Sequence, residues 1–414
     1  MQTLPARPFS HLLTNASTGC HRGKRGARRR RAALPLLAAL ASCDGFTERT
    51  PNVCCASDTE CARLGLPPGS ASEYSCGPSQ VCRDFYCVPE ATADASEPDA
   101  PPSDGPPPPP PSCKDLAATC GSSANANCCE AALVPGTSPG SSFYRGYDGT
   151  GYNDMGFPAT VSSYVLDTYE VTVGRFRAFV DAGQGTQASP PAAGAGAHPR
   201  LAGSGWDGVW NASLVADKAT LIAAVKCSPT YQTWTDAPGA NENKPITCVS
   251  WYEAMAFCIW DGGYLPTELE WNYAASGGTQ QRAYPWSNPT TSTAIDCTYA
   301  NYRVDNPVGT YCVDGTTGGL NREGSESPKG DGRWGQADLA GNVSEWTLDW
   351  YSASYPLPCD DCANLTASTY RVTRGGCYLD DASLQRTAAR FSNRPSTRSY
   401  FGGFRCARTP PSSP

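Results

Sequence analysis

Cysteine thiols are the side chains of this chain best suited to chemistry. The sequence holds 21 cysteines, of which Cys20 lies in an export leader and Cys43 at a lipidation motif that ends this leader. Nineteen cysteines remain, so at least one is unpaired within a monomer. Our candidate is Cys377, in the run Gly-Gly-Cys-Tyr. Two interpretations stay open: a buried thiol or a partner of another cysteine, and a weak candidate for a catalytic thiol.

Histidine chemistry is poorly supported by the sequence. There are three histidines, and His11 and His21 lie in the leader. His198 lies in a loop rich in Gly, Ala and Pro, where we expect it to be solvated. Iron held by histidines needs at least two of them, and a Ser-His-Asp triad would depend on His198 alone. The sequence therefore excludes an iron site held by histidines and gives no support to a Ser-His-Asp triad.

The run Cys359-Asp360-Asp361-Cys362 has the spacing of a redox pair. It lies between Pro358 and a loop rich in Asp and Asn, without the helix N-terminus that lowers a thiol pKa. The sequence therefore favours a structural disulfide here over an oxidoreductase site.

Residues 1–42 have the pattern of a signal peptide. A basic segment, 22–31, precedes an apolar run, 32–41, that is too short to span a bilayer. The following Leu-Ala-Ser-Cys matches a bacterial lipobox, which makes Cys43 the lipidated first residue of the mature protein. The alternative is an ordinary signal peptide with a chance cysteine. We expect an exported, membrane-anchored lipoprotein of a bacterial cell envelope.

The charge of the mature chain argues against nucleic acid as a partner. Removal of residues 1–42 takes away eight Lys and Arg and leaves 24 basic and 39 acidic residues, a formal charge of −15. Binding to phosphate depends on clustered Lys and Arg. The expected partners are the membrane, through the lipid anchor, and an envelope protein, peptide or glycan that the sequence does not identify.

The mature chain divides into four segments. Residues 43–88 form a small unit with six cysteines, which export favours as disulfides rather than zinc ligands. Residues 89–112 are a Pro-rich disordered linker that ends in six prolines and acts as a semi-rigid spacer. A Cys-rich lead-in, 113–132, precedes the main domain, 133–409, which contains all ten Trp.

Helix signals in the main domain are few but clear. Thr172 can cap a helix over 173–182, Ser250 opens a capping box and helix to Trp260, and Thr267 opens another to Ala275. Short runs rich in Val, Tyr and Thr, such as 159–166 and 370–373, predict strands. The pattern predicts an α+β domain with much irregular structure.

Four motifs carry a resemblance to a known family. They are Asp-Gly-Gly-Tyr-Leu-Pro-Thr-Glu-Leu-Glu-Trp at 261–271, Gly-Asn-Val-Ser-Glu-Trp at 341–346, Arg-Gly-Gly at 374–376 and Gly-Gly-Phe-Arg-Cys at 402–406. Together they resemble the formylglycine-generating enzyme, or sulfatase-modifying factor, family over residues 133–409. The resemblance implies a C-type-lectin-like fold.

The resemblance also implies a disulfide between Cys258 and Cys406. The family's second structural disulfide would fall on Ala275 and Thr387, so both of its halves are absent together. Cys227 and Cys248 bracket a loop, and we expect them to pair as well. Further pairs, Cys297 with Cys312 and Cys359 with Cys362, are less supported.

The family's catalytic pair is missing. Its aerobic enzymes bind copper(I) through two cysteines, since copper(I) prefers soft thiolates. By alignment the first falls on Asp380, and the second falls in a shortened segment without cysteine. We therefore expect neither copper nor formylglycine formation, and expect a non-catalytic binding or structural protein. The alternative is a formylglycine-generating-type oxidoreductase that uses Cys377 on a protein cysteine.

Calcium is the cofactor that the resemblance still implies. By the family's motif, Asp338 and Glu345 would provide side-chain oxygens, and Gly341 and Val343 backbone carbonyls, a donor set that suits calcium. The alternative is a capped turn before a strand. A second site would begin at Asn301 and Tyr302, but its remaining ligands fall in a loop that is shorter here.

Three arginines, Arg374, Arg390 and Arg405, lie in family motifs. Burying an unpaired guanidinium is costly, so we expect each to pair with a carboxylate such as Glu268, Glu270 or Glu345 in a structural role.

Overall fold

The structure is a computed structural model that describes residues 80–83, 86–89, 109–304, 309–313, 315 and 318–411. The chain divides into two units, 1–103 and 104–414. In the first unit, β1 (Gln80–Arg83) pairs antiparallel with β2 (Tyr86–Pro89). The leader, Cys43 and most of the small unit and linker lie outside the described residues, so these predictions stay predictions. Within the described residues, no helix has the length and apolarity to cross a membrane.

Side-chain caps fix where the helices of the second unit begin. Thr172 accepts a hydrogen bond from the N–H of Arg175 at the start of α1 (Val173–Asp181). Capping boxes at Ser250 and Thr267 open α3 (Trp251–Trp260) and α4 (Glu268–Ala275). These three predicted helices are confirmed. The sequence analysis missed a fourth, α2 (Lys218–Ala224), which begins at Asp217. Short 3-10 helices lie at Pro111–Cys113, Gly208–Ser213, Gly278–Gln280 and Ala382–Gln385.

The strands of the second unit are short and form three small sheets. One has the order β10–β7–β8–β9, with β10 (Gly402–Gly403) parallel to β7 (Ser344–Trp350), and with β8 (Arg371–Arg374) and β9 (Phe391–Asn393) antiparallel. Another has the antiparallel order β11–β6–β3, from Ala407–Arg408, Tyr164–Asp167 and Ala131–Val134. The third pairs β4 (Phe143–Tyr144) with β5 (Pro158–Ala159). The single strand expected over 159–166 is therefore two strands, β5 and β6.

Aromatic side chains fill the main core between α1, α3 and β7. Phe176 and Phe179 of α1 contact Phe257 of α3, with ring centroids 5.9 and 5.4 Å apart. The guanidinium of Arg371, on β8, lies 3.6 Å from the ring centroids of both Trp251 and Trp350. These contacts join the helices to the four-stranded sheet and so fix the strand that leads to Cys377.

Six disulfides lie within the described residues. The structure joins Cys258 to Cys406 across a separation of 148 residues, and Cys227 to Cys248. It also pairs Cys297 with Cys312, and Cys359 with Cys362. In the lead-in, Cys113 joins Cys129 and Cys120 joins Cys128. Closing a chain segment as long as 148 residues removes much entropy from the unfolded state.

Candidate functional site

Cys377 lies on a tight turn that follows β8. Gly375 and Gly376 both have positive φ, +94° and +69°. A Cβ on Gly376 would lie 2.6 Å from the side-chain oxygen of Gln385 and 2.8 Å from the carbonyl of Leu384, so a larger residue does not fit. The two glycines therefore turn the chain and place Cys377 against the segment 380–385.

Cys377 is the free cysteine among the described residues, and its surroundings keep it protonated. Its side chain is buried, and its Sγ donates to Asp380 Oδ2 at 3.3 Å. The backbone N–H of Cys377 donates to the same oxygen at 3.1 Å. Burial, followed by the nearby charge of Asp380, raises the pKa of the Cys377 thiol well above its usual range. This thiol is therefore poorly suited to act as a nucleophile or a metal ligand at neutral pH.

A small cavity of about 320 Å³ opens beside this thiol. We call it the Cys377 cavity; it is lined by Ser344, Cys377, Leu379, Asp380, Phe391, Ser392, Asn393 and Phe401. The lining contains one thiol and one carboxylate but no second cysteine or histidine. A two-thiolate copper(I) site therefore has no counterpart in this cavity.

The expected calcium ligands lie on the turn that leads into β7. Asp338, Gly341 and Asn342 have positive φ. A Cβ added to Gly341 would lie 2.4 Å from the carbonyl oxygen of Asn301. Asp338 Oδ2 accepts from the N–H of Gly324 at 2.7 Å. Glu345 accepts from two nitrogens of Arg405, both at 2.8 Å, so most of its acceptor capacity is already used. Among the described residues, no group of three or more His, Cys, Asp or Glu side chains is arranged to hold a metal.

Buried carboxylates with raised pKa values surround Asp338. Burial raises the pKa values of Glu170, Glu323 and Glu326, the charge of Asp338 raises them further, and each keeps one buried oxygen without a hydrogen-bond partner. Burial raises the pKa of Asp338 to about 6 and, with the charge of Asp338, raises that of Glu326 to about 8. The carboxylate and carbonyl oxygens of this turn are donors of the kind that calcium prefers, while the engagement of Glu345 with Arg405 weakens one of them.

The start of the second expected site packs onto the same turn. Asn301 donates through Nδ2 to the carbonyl of Gly319 at 2.8 Å, and its own carbonyl accepts from the N–H of Asn342 at 2.9 Å. The hydroxyl of Tyr302 donates to the carbonyl of Ile295 at 3.5 Å. Part of the following loop, 305–308, lies outside the described residues. Asn301 therefore supports the turn that carries Asp338.

The expected arginine–carboxylate pairs are confirmed. Arg390 binds Glu268 through two nitrogens at 2.6 and 2.7 Å, and Arg374 lies 3.3 Å from the same carboxylate. Arg405 likewise binds Glu345 through two nitrogens. All three arginines thus fix the packing of α4 and β7, which is a structural role.

The expectation that His198 is solvated was wrong. His198 is only 6% exposed, and its Nε2 lies 3.2 Å from Glu270 Oε1. Its Nδ1 accepts from the N–H of Arg200 at 3.2 Å, so the ring proton lies on Nε2 and donates to Glu270. Both nitrogens of the neutral ring are used, which leaves neither available as a general base.

A cavity of about 800 Å³ lies over His198. We call it the His198 cavity; its walls are the segments 135–141, 160–164, 198–200, 360–361 and 409–410, with Tyr264 and Glu270. None of these residues lines the Cys377 cavity. The sequence analysis did not find it, because its walls come from distant parts of the chain.

The fold and the two cavities define an α+β domain with few helices and a buried, unpaired thiol at the end of its central strands. Residues 132–410 match the sulfatase-modifying factor enzyme 1-like domain, and the chain belongs to this family. The family and α+β fold predicted from the sequence are therefore confirmed. The chain therefore belongs to the family through its motif residues, although it lacks the family's catalytic cysteine pair.

Individual relatives include active and inactive members. The chain is 33% identical over 278 residues to a formylglycine-generating enzyme of Thermomonospora curvata, covering 60% of this chain and 83% of the relative. It is 30% identical over 291 residues to the inactive C-alpha-formylglycine-generating enzyme 2 of Bos taurus, covering 65% and 86%. A solved structure, PvdO from Pseudomonas aeruginosa, aligns with a TM-score of 0.46 at 18% identity, covering 72% and 98%.

Proposed function

We propose that this chain is a non-catalytic binding or structural member of the sulfatase-modifying factor family. The observation that carries the proposal is the state of the Cys377 thiol, which is buried, hydrogen-bonded to Asp380 and raised in pKa. A relative named as inactive resembles this chain about as closely as the active ones do, which is consistent with a family fold that persists without the reaction.

The chemistry of the Cys377 cavity supports this proposal. Copper(I) chemistry needs soft thiolate ligands. Here the first ligand position of the family is the carboxylate of Asp380, a hard oxygen donor. A single protonated thiol beside a carboxylate does not replace two thiolates. The competing function, oxidation of a protein cysteine through Cys377, would need this thiol to ionise within its buried site.

We further propose that the domain is exported and anchored to a membrane of a bacterial cell envelope through lipidated Cys43. The support is the leader, the lipobox and the proline-rich segment, which suits a spacer between membrane and domain. The partner in this setting would be an envelope protein, a peptide or a glycan. Intact-mass measurement of the membrane fraction tests the anchor: wild type should carry acyl chains, and Cys43→Ala should not.

Calcium at the turn of Asp338, Gly341, Val343 and Glu345 is also a proposal. Its support is the mixture of carboxylate and carbonyl oxygens and the surplus of buried negative charge around Asp338. In this role the ion would stabilise the turn that leads into β7, and it would take no part in a reaction.

The test of a non-catalytic role uses the mature chain, copper(I), oxygen and a peptide containing Cys-Xaa-Pro-Xaa-Arg, the sulfatase-type substrate. Mass spectrometry should find the peptide unchanged. A formylglycine-generating enzyme of the family, such as that of Thermomonospora curvata, is run alongside to show that the assay detects the aldehyde. Conversion by the folded chain that disappears in Cys377→Ser would overturn the proposal and establish the alternative function.

A further inference from the structure

The His198 cavity is a preformed recess rather than a gap between loose loops. The N–H of Thr137 donates to the carbonyl of Val161 at 2.8 Å, and the N–H of Val161 donates back to the hydroxyl of Thr137 at 2.9 Å. Beside this contact, the N–H of Asp361 donates to the carbonyl of Thr160 at 3.0 Å, which joins the segments 160–164 and 360–361. The Cys359–Cys362 disulfide closes the loop that holds residues 360–361. A volume of about 800 Å³ is within the range of small-ligand sites.

Glu270 forms the floor of the cavity and has no basic partner. Its carboxylate accepts from three neutral donors: the N–H of Thr267 and the hydroxyl of Tyr264, both at 2.8 Å, and the ring N–H of His198. Among the described residues, no lysine or arginine nitrogen lies within 4 Å of it. Glu270 is almost fully buried, so its charge is weakly screened and acts on whatever enters the cavity.

The walls add two carboxylates and one guanidinium. Asp361 accepts from the N–H and hydroxyl of Ser162, both at 2.6 Å, and lies 3.4 Å from Arg200 Nε. Asp360 is exposed and accepts from the hydroxyl of Thr160. Arg200 also lines the cavity, and its side chain is 62% exposed. With neutral His198, three acidic groups face one basic group, and the lining has a formal charge of −2.

Hydroxyl groups surround these charges. The lining includes Ser and Thr at positions 137, 138, 141, 160, 162 and 163. Ser163 Oγ accepts from the N–H of Gly136 at 3.0 Å, which leaves its own proton available to a ligand. Such a lining suits a ligand that is both positively charged and rich in hydrogen-bonding groups.

We propose that the His198 cavity binds a ligand carrying an ammonium or guanidinium group, such as a small amine or the side chain of a lysine or arginine in a peptide. The cationic group would lie between Glu270 and Asp360, and the hydroxyls would bind the rest of the ligand. This inference rests on the proposed binding function and names its ligand class.

The test is calorimetric titration of the mature chain at low salt with matched probes. An acetylated and amidated Ser-Arg-Ser peptide is compared with its citrulline counterpart, which has the same shape but no charge. Agmatine provides the guanidinium without a peptide. We expect saturable binding of the arginine peptide or of agmatine, and binding of the citrulline peptide at least tenfold weaker. Tighter binding of the peptide than of agmatine identifies a peptide ligand, and the reverse identifies a small amine.

Two surface variants should change the affinity in opposite directions. Asp360→Asn removes an attractive charge and should weaken binding about three- to tenfold, and Arg200→Gln removes a competing cation and should strengthen it by a similar factor, as expected for a charge about 6 Å away. Asp236→Asn is the control: this carboxylate is largely exposed and does not line the His198 cavity, so the affinity should not change. Both test side chains are exposed, so the variants should fold.

Equal binding of the arginine and citrulline peptides, or no binding of any cationic probe at 5 mM, would overturn the inference. Either result would leave the non-catalytic binding function in place. Oxidation of the sulfatase-type peptide would instead remove the proposed function itself, so the two failures are distinguishable.

Discussion

The reactivity of Cys377 gives the sharpest test of the non-catalytic proposal. An ordinary cysteine, with a pKa of about 8.5, is about 10% thiolate at pH 7.5. Burial and the charge of Asp380 raise the pKa of Cys377 above that range, so its thiolate fraction is smaller. Its side chain is also only 2% exposed. We therefore expect iodoacetamide to alkylate Cys377 at least about tenfold more slowly than glutathione at pH 7.5.

The pH dependence of the alkylation rate tests the direction of the pKa shift. Because the folded-state pKa is raised, the thiolate fraction should keep rising about tenfold for each pH unit between 7 and 9, with no plateau. Asp380→Asn removes the adjacent negative charge and the carboxylate acceptor, so the alkylation rate should increase. Asp236→Asn, at an exposed carboxylate that does not line the Cys377 cavity, should leave the rate unchanged.

The assay is quenched alkylation followed by tryptic digestion, since cleavage at arginine releases residues 375–386 with Cys377 as their only cysteine. The label in this peptide is then counted against time. Alkylation as fast as that of glutathione, or a plateau below pH 8, would refute the reasoning. Either result would mean an ionised, accessible thiol and would favour the oxidoreductase function.

Three further predictions concern stability. Replacing both Cys258 and Cys406 with Ala should lower the free energy of unfolding by about 5 kcal/mol in the loop-entropy model, because 148 residues separate them. Urea titration measures this free energy. A loss below about 1 kcal/mol would contradict the model. Glu268→Gln weakens the partner of two arginines and should cost about 3–5 kcal/mol, whereas Lys218→Gln, in an exposed pair, should cost less than about 1 kcal/mol. The melting temperature of the wild type should be higher in calcium than in EGTA, and Asp338→Ala should abolish this difference. Equal melting curves for the wild type in calcium and in EGTA would contradict the calcium site.

Local signals predicted three of the four α-helices among the described residues, and α2 was missed although its cap, Asp217 to Thr220, is also local. Contacts between distant residues explain why the burial of His198 was missed. The capping boxes at Ser250 and Thr267 involve residues three apart, so their spacing is visible in the sequence. The bond between His198 and Glu270 joins residues 72 positions apart. A lone histidine in a Gly/Ala/Pro-rich loop carries no local sign of such a partner, and its burial could not be read from the sequence.

Of the two cavities, one could be located from the sequence and the other could not. The Cys377 turn could be located from its Gly-Gly-Cys run, because the tight backbone there requires glycine. The His198 cavity could not, since its floor belongs to α4 while its walls come from loops before β4, before β6 and within the Cys359–Cys362 disulfide. Only the folded chain brings Glu270, Asp360 and Arg200 to one recess.

Several interactions that stabilise the fold lie outside the segment that differs from the catalytic family. The Glu268 and Glu345 pairs, the Cys258–Cys406 disulfide and the aromatic core all involve side chains outside 377–387. That segment keeps its path through its glycine turn, the contact of Gln385 with the Cys377 carbonyl, the packing of Tyr378 and the ion pair of Arg386 with Asp148. The catalytic cysteines of the family can therefore be replaced without loss of the fold. Family membership here specifies the architecture, and the function has to be argued from the site.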